Sequence, residues 1–256
     1  MHPRLPEIER YLDAAPRSAA AVEQLGPFTL FLKRDAWPYY ARPTLGAERF
    51  TADDVQAVLA RQRELDQPCA LEWVHDFAPG LLAVAREAGV EVSEHPLMVL
   101  ESEPVAPAMP DGAELFMVDP QDERLELIEA VADVAFGGSD TLAEAVAGRT
   151  HPTIEFRRER LASGRTRRAV ALLDGGPVAT GAHQPVDAVS EVVGIGTLPG
   201  HRRRGLGGAV TALLCRDALE RGTGTVFLAA DEGATRVYQA VGFRRIGTSC
   251  IGEVPE

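Results

Sequence analysis

Apolar positions along the chain follow two rhythms, and their alternation predicts most of its elements. Leu206, Val210, Leu213 and Leu214 recur at helical spacing, and Gly222 stops the helix they predict. Before it come three apolar runs with short links. Arg168 to Leu173, the turn Asp174-Gly175-Gly176-Pro177, and Val178 to His183 read as strand–turn–strand, and Ser190 to Leu198 as a third strand. Three such strands in succession imply an antiparallel meander. Downstream, Thr225 to Ala230 is a buried strand, Ala234 to Ala240 a short helix ended by Gly242, and Phe243 to Gly247 a last strand. Upstream, Glu114 to Val118 reads as a strand, with helices over Glu123 to Ala135 and Thr153 to Ser163.

The first hundred residues form a separate block. Helices fit Pro6 to Ala14 and Ala52 to Leu65, the latter capped by Thr51; strands fit Phe28 to Lys33, Ala70 to Val74 and Pro96 to Leu100. A proline-rich link, Glu103 to Asp111, follows, so the expected domains are 1–103 and 113–256. Leu71 to Val74, Pro79 to Ala88 and Gly89-Val90 repeat the strand–helix–Gly–strand order of Val226 to Phe243. Pairing Gly89 with Gly242 places Leu81 on Ala234 and Val84 on Val237. Any strand–helix–strand unit has this look; the sharper reading is a degenerate duplicate lacking the arginine-glycine turn described next.

Composition narrows the classes. An apolar fraction of 45% and a charged fraction of 25% suit a soluble globular protein. A net charge of −12 argues against nucleic-acid binding. Cys69, Cys215 and Cys250 are scattered, as small buried hydrophobes in a reducing compartment would be. Met1 to Tyr11 is charged and broken by proline, unlike a signal peptide, and no apolar run approaches the ~18 residues of a membrane helix. A cytoplasmic protein without membrane partners is expected. Lys33 is the only lysine and asparagine is absent, a codon bias suggesting a bacterial genome of high G+C content.

The chemistry concentrates in Gly194 to Gly208, where a strand ends in a turn of glycines and arginines and enters a helix. Glycines let backbone N–H groups converge on an anion, the helix start adds its positive dipole end, and Arg202, Arg203 and Arg204 add charge. Such a turn holds a pyrophosphate. A P-loop needs Gly-Lys-Ser/Thr, which is absent. A dinucleotide fingerprint needs a third glycine where Val210 stands, within a parallel unit rather than a meander.

Thr197-x-Pro199-x-x-Arg202-x-x-Gly205-x-Gly207-Gly208 resembles the acetyl-coenzyme A signature of the GNAT superfamily of N-acetyltransferases. Asp231-x-x-Ala234-x-x-Val237-Tyr238-x-x-x-Gly242-Phe243 is similar to that family's second segment, in order and at the right distance. The resemblance covers roughly Ala113 to Glu256. It implies a mixed α/β (α+β) fold: a GNAT-like, mostly antiparallel twisted sheet flanked by helices, with a smaller N-terminal α/β domain, itself expected to be a degenerate GNAT-like repeat.

The same resemblance implies that amides from Arg203 through Arg204, Gly205, Leu206, Gly207 and Gly208 wrap the coenzyme A pyrophosphate. It also implies that Ile195, Gly196 and Thr197, at a splay in the strand, bond the pantetheine and the acetyl carbonyl. The plain reading of Arg202 to Arg204 is a solvated basic surface; their place inside the turn favours the ligand. Asp231, the position the resemblance implies for a pantetheine contact, stands where the family carries asparagine; a carboxylate accepts hydrogen bonds but cannot donate one as the amide does. Arg203 stands where glycine is common, a difference that leaves its backbone amide unaffected.

Tyr238 matches the family's tyrosine, the general-acid candidate; a phenol stays protonated at neutral pH, though it also packs well. Glu191, eleven residues before Arg202, is the base candidate, at the spacing of the histone-acetylating branch. Alternation puts it on the side of Val193 and Ile195 if no bulge intervenes, where half-burial would raise its pKa. A plain surface glutamate fits as well, and His183 and Asp231 are weaker alternatives. No histidine spacing suggests a metal.

The expected function is acetyl transfer from acetyl-coenzyme A to a primary amine of a small molecule or protein. The alternative is an acyl-coenzyme A-binding regulatory or interaction module. The N-terminal block fits partner binding, completion of the acceptor pocket, or a homodimer interface.

Overall fold

The computed structural model describes residues 1–33 and 39–254. They cluster into two compact units. The first holds residues 1–98, 229–232 and the chain from Arg245 onward; the second holds residues 99–228 and 233–244.

The first unit contains α1 (Leu5–Arg17), β1 (Ala20–Leu25), β2 (Phe28–Lys33), β3 (Arg42–Pro43), α2 (Ala52–Glu64), β4 (Ala70–Val74), α3 (Leu81–Glu87) and most of β5 (Glu91–Leu100). Strands β1, β2 and β3 form an antiparallel sheet. The Thr51 hydroxyl accepts from the Asp54 N–H at 3.2 Å while the Asp54 carboxylate accepts from the Thr51 N–H at 2.9 Å, a reciprocal cap that starts α2. Phe28, Leu30, Val58, Leu59, Leu71 and Trp73 make the core.

The second unit runs β6 (Glu114–Met117), α4 (Leu125–Ala135), α5 (Leu142–Ala147), α6 (His151–Ala162), β7 (Arg167–Leu173), β8 (Gly176–Val186), β9 (Val189–Thr197), α7 (Leu206–Glu220), β10 (Thr225–Ala229) and α8 (Thr235–Val241). Strands β6 to β9 are antiparallel neighbours, so the meander stands as expected, and β10 runs parallel to β9. The fold is mixed α/β with a mostly antiparallel sheet flanked by helices. Its two faces follow from β7: Arg167 reaches Asp217 of α7, whereas the next residue, Arg168, reaches Glu129 of α4. One face therefore carries α7 and the other α4.

The last strand, β11 (Phe243–Glu253), runs well past Gly247 and pairs antiparallel with β4, from Ser249 opposite Val74 to Glu253 opposite Ala70. Glycines at 247 and 252 do not end it. A Cβ at Gly247 would lie 2.7 Å from the Asp76 carboxylate, and one at Gly252 2.7 Å from Val90, so both mark close approach within the strand. The echo between the blocks has a backbone counterpart. α3 exits through Gly89 at φ +81° into β5, as α8 exits through Gly242 at φ +123° into β11.

Candidate active site

The site begins with a fault in the sheet. Thr180 on β8 faces Gly196 on β9 and Ala182 faces Val193, leaving Gly194 and Ile195 together opposite Gly181. This is a β-bulge, eased by Gly194 at φ +61°. It resets the alternation of β9. Glu191 lies opposite Gln184 and Val193 opposite Ala182, in the α4-facing row that includes Arg168. Ile195, past the bulge, faces α7 instead: a Cβ on Gly181 would run into its side chain, with Val210 and Leu214 of α7 close by. The placement of Ile195 beside Glu191 and Val193 is thus corrected. Gly196 takes the α4 side, where Ala135 would lie 2.9 Å from any Cβ.

The same strand opens toward β10. Pairing runs from Val189 opposite Thr225 to Glu191 opposite Phe227 and stops. Because the Leu198 N–H donates to Val178 on β8 at 2.9 Å, alternation directs the Thr197 N–H to the opposite edge, where no strand is registered among the described residues. An unpaired donor at a strand edge is suited to a ligand carbonyl.

Beyond Thr197 the chain turns through Pro199–His201 into α7, whose N-cap Gly205 has φ +81°. Gly207 backs onto the strand end, with the Thr197 hydroxyl 3.3 Å from where its Cβ would sit. Among the described residues, no acceptor in the chain receives the backbone N–H of Arg203, Arg204, Gly205, Leu206, Gly207 or Gly208. Six consecutive donors at the positive end of a 15-residue helix make a candidate anion cradle.

The arginines divide the work. Arg202 folds back, its Nη2 donating to the Ala135 carbonyl at 2.8 Å and its Nε to that of Thr197 at 3.3 Å, so it braces the strand end. Arg203 and Arg204 are exposed beside the cradle. Arg203 has φ +60°, the left-handed region, which gives a reason for glycine at this position. Arg203→Gly is expected to raise stability by about 0.5–1 kcal/mol, since relief of strain exceeds the entropy lost on folding a glycine. A denaturant titration reading no gain would contradict it.

Tyr238 is half-buried on α8 and meets Phe243 edge-to-face, centroids 6.2 Å apart. Glu191 is half-buried on the α4 face, together with the buried Arg168–Glu129 ion pair at 2.8 Å. Asp231 belongs to the first unit, where its largely exposed carboxylate pairs with His95 at 3.5 Å.

His183 sits in the α7-facing row, fully buried. Its Nε2 lies 2.9 Å from Asp217 and its Nδ1 2.8 Å from the Ser190 hydroxyl. Asp217 also accepts from Arg167 at 2.9 Å and from Arg221 at 2.9 Å. Burial opposes the Asp217 charge, but hydrogen bonds from Arg167, His183 and Arg221 outweigh it and hold the carboxyl well below the usual range. Burial lowers the His183 pKa, with Asp217 pulling the other way. The neutral ring then donates from Nε2 to Asp217 and accepts from Ser190 at Nδ1, a tautomer set by its partners. This network ties β7, β8 and β9 to α7; sequence reasoning singled out only His183 from it. Burial also pushes the Cys215 thiol up to about 12 and that of Cys250 up to about 11, so neither is a nucleophile at neutral pH. Among the described residues no helix is long and apolar enough to cross a membrane.

Comparison with known proteins agrees with this geometry. The family model described as acetyltransferase (GNAT) family matches residues 140–243. A GCN5-related N-acetyltransferase from Kribbella flavida is similar at 26% identity and a TM-score of 0.75, over 98% of this chain and 95% of its own. A conserved protein of unknown function from Staphylococcus epidermidis shares the fold at 15% identity and a TM-score of 0.61, over 96% and 98%. A tandem GNAT protein from the clavulanic acid biosynthesis pathway shares it at 18% identity and a TM-score of 0.57, over 93% and 84%. No curated protein matches the sequence. With the bulged, open strand and the glycine cradle in place, residues 140–243 are a domain of the acetyltransferase (GNAT) family.

Proposed function

We propose that the protein transfers an acetyl group from acetyl-coenzyme A to a primary amine. The observation that carries this reading is the run of six unpartnered amides, Arg203 to Gly208, adjoining the open edge of β9. The amides and the exposed Arg203 and Arg204 hold the pyrophosphate, which leaves the acyl arm to enter along Ile195 to Thr197. The Thr197 N–H polarises the thioester carbonyl and steadies the developing oxyanion. The amine nitrogen bonds to the carbonyl carbon, the carbon–sulfur bond breaks, and Tyr238 protonates the departing thiolate. Glu191 takes the proton the amine gives up, through water. The first unit is read as a degenerate GNAT-like repeat, on the matching strand–helix–Gly–strand order of β4–α3–β5 and β10–α8–β11.

Thiol release on mixing the protein with acetyl-coenzyme A and a panel of primary amines tests the proposal. Amine-dependent release supports it. Tight coenzyme A binding with no turnover on any amine would replace it with the reading of an acyl-coenzyme A-binding regulatory module.

A further inference from the structure

The proline-rich segment after β5 does more than link. Its start is anchored: the Glu101 N–H donates to the Gly242 carbonyl at 3.1 Å, the Val105 N–H to that of Val241 at 2.9 Å, and Arg216 to the Pro104 carbonyl at 3.2 Å. The chain then passes against two glycines of the turn. The Ala108 carbonyl oxygen lies 2.1 Å from where a Cβ on Gly205 would be, and Pro107 is 2.9 Å from the Cβ position of Gly208, with Val237 of α8 at 3.6 Å. Two of the cradle's glycines therefore also make room for this segment.

We propose that Pro104 to Pro110 is a strap seated on the pyrophosphate cradle, which donor binding lifts. The inference rests on the donor reading above. The Ala108 carbonyl directs its partial negative end at the N-cap of α7, where the helix dipole favours an anion. A neutral carbonyl answers that field weakly; a pyrophosphate carries full charges and takes hydrogen bonds from the amides as well. The two compete for one face of the turn at Gly205. The strap yields readily, because Pro104, Pro107 and Pro110 have no N–H, and among the described residues no backbone donor from Ala106 to Met109 is used. Its displacement makes the chain leaving β5 responsive to whether the donor is bound.

A reversible lock on the full chain tests this. Pro107→Cys with Val237→Cys places two thiols flanking Gly208. Oxidised, the variant is expected to bind coenzyme A at least about tenfold more weakly than after reduction, by calorimetry, with the unsubstituted protein indifferent to reductant. Equal affinity in both states would show that the strap need not move. A second variant replaces Ala106, Pro107 and Ala108 by glycine; loosening the strap should tighten coenzyme A binding several-fold, and unchanged or weaker binding counts against the proposal. If the unsubstituted protein binds no coenzyme A, the donor reading itself fails and the strap's role falls with it.

Discussion

Replacing Asp217 with asparagine is expected to cost about 3–5 kcal/mol of stability, the range for removing one partner of a buried charge network. Asparagine keeps the shape but cannot balance Arg167 and Arg221, and its amide would confront the His183 ring that now donates to a carboxylate. Arg221 is half-exposed and recovers water, which moves the cost toward the lower end. In a chain this long, such a loss lowers Tm by roughly 10 °C. The pH dependence separates the groups. His183 has a folded pKa below its ordinary 6.5, so its contribution is complete above about pH 6.5 and is lost as pH falls through the folded value. Asp217 also titrates below its ordinary range, so its contribution is present above about pH 4 and lost below it. Denaturant titrations from pH 3 to 8 should show both declines in the unsubstituted protein and a shallower lower one in Asp217→Asn, where Glu23 and Asp122 still titrate below their ordinary range. An unchanged profile below pH 4 in the variant would show that the carboxylate is not the source.

Much of this was readable from residues alone, and what was not has identifiable causes. The turn into α7 was legible because glycines at 205, 207 and 208 follow a strand and open a helical apolar repeat. The meander was legible from apolar runs with a Gly-Gly turn between them. The bulge at Gly194-Ile195 was not: glycines in β8 and β9 mark a disturbance, but only the register against Thr180 and Ala182 says which residues are extra, and that register turned Ile195 over. The α7-facing network joins residues 183, 190 and 217 through tertiary packing that local periodicity does not encode. Strand β1, an Ala-Ala-Val-Glu-Gln-Leu run, has little strand propensity of its own and is held by pairing with β2. Helix α5 could have been found, because Thr141 and Glu144 form a reciprocal cap spaced as such caps require. The link after β5 was recognised by its prolines, but its seat on Gly205 and Gly208 depends on a contact nearly a hundred residues away in sequence.

Tyr238→Phe is expected to lower kcat by about 10²–10⁴, the usual contribution of a positioned acid or base, equivalent to about 2.7–5.4 kcal/mol of barrier. Phenylalanine is the informative replacement because it keeps the edge-to-face contact with Phe243 and so leaves α8 seated. The helix also remains closed at Gly242, whose N–H donates to the Tyr238 carbonyl at 3.1 Å, a backbone bond that the substitution leaves in place. Coenzyme A affinity should then be unchanged, since the cradle at Arg203 to Gly208 is built from other elements. A loss of kcat with constant donor affinity identifies a group acting only when the thiolate departs. Turnover within a few-fold of the parent would reduce Tyr238 to a packing residue and leave protonation of the thiolate to water. Glu191→Gln distinguishes the other half of the proton transfer. If the carboxylate strips the ammonium, the variant loses kcat/KM most at neutral pH and recovers as rising pH deprotonates the amine in solution. A Tyr238→Phe deficit should show no such recovery, because the missing proton belongs to the leaving group and raising the pH does not supply it.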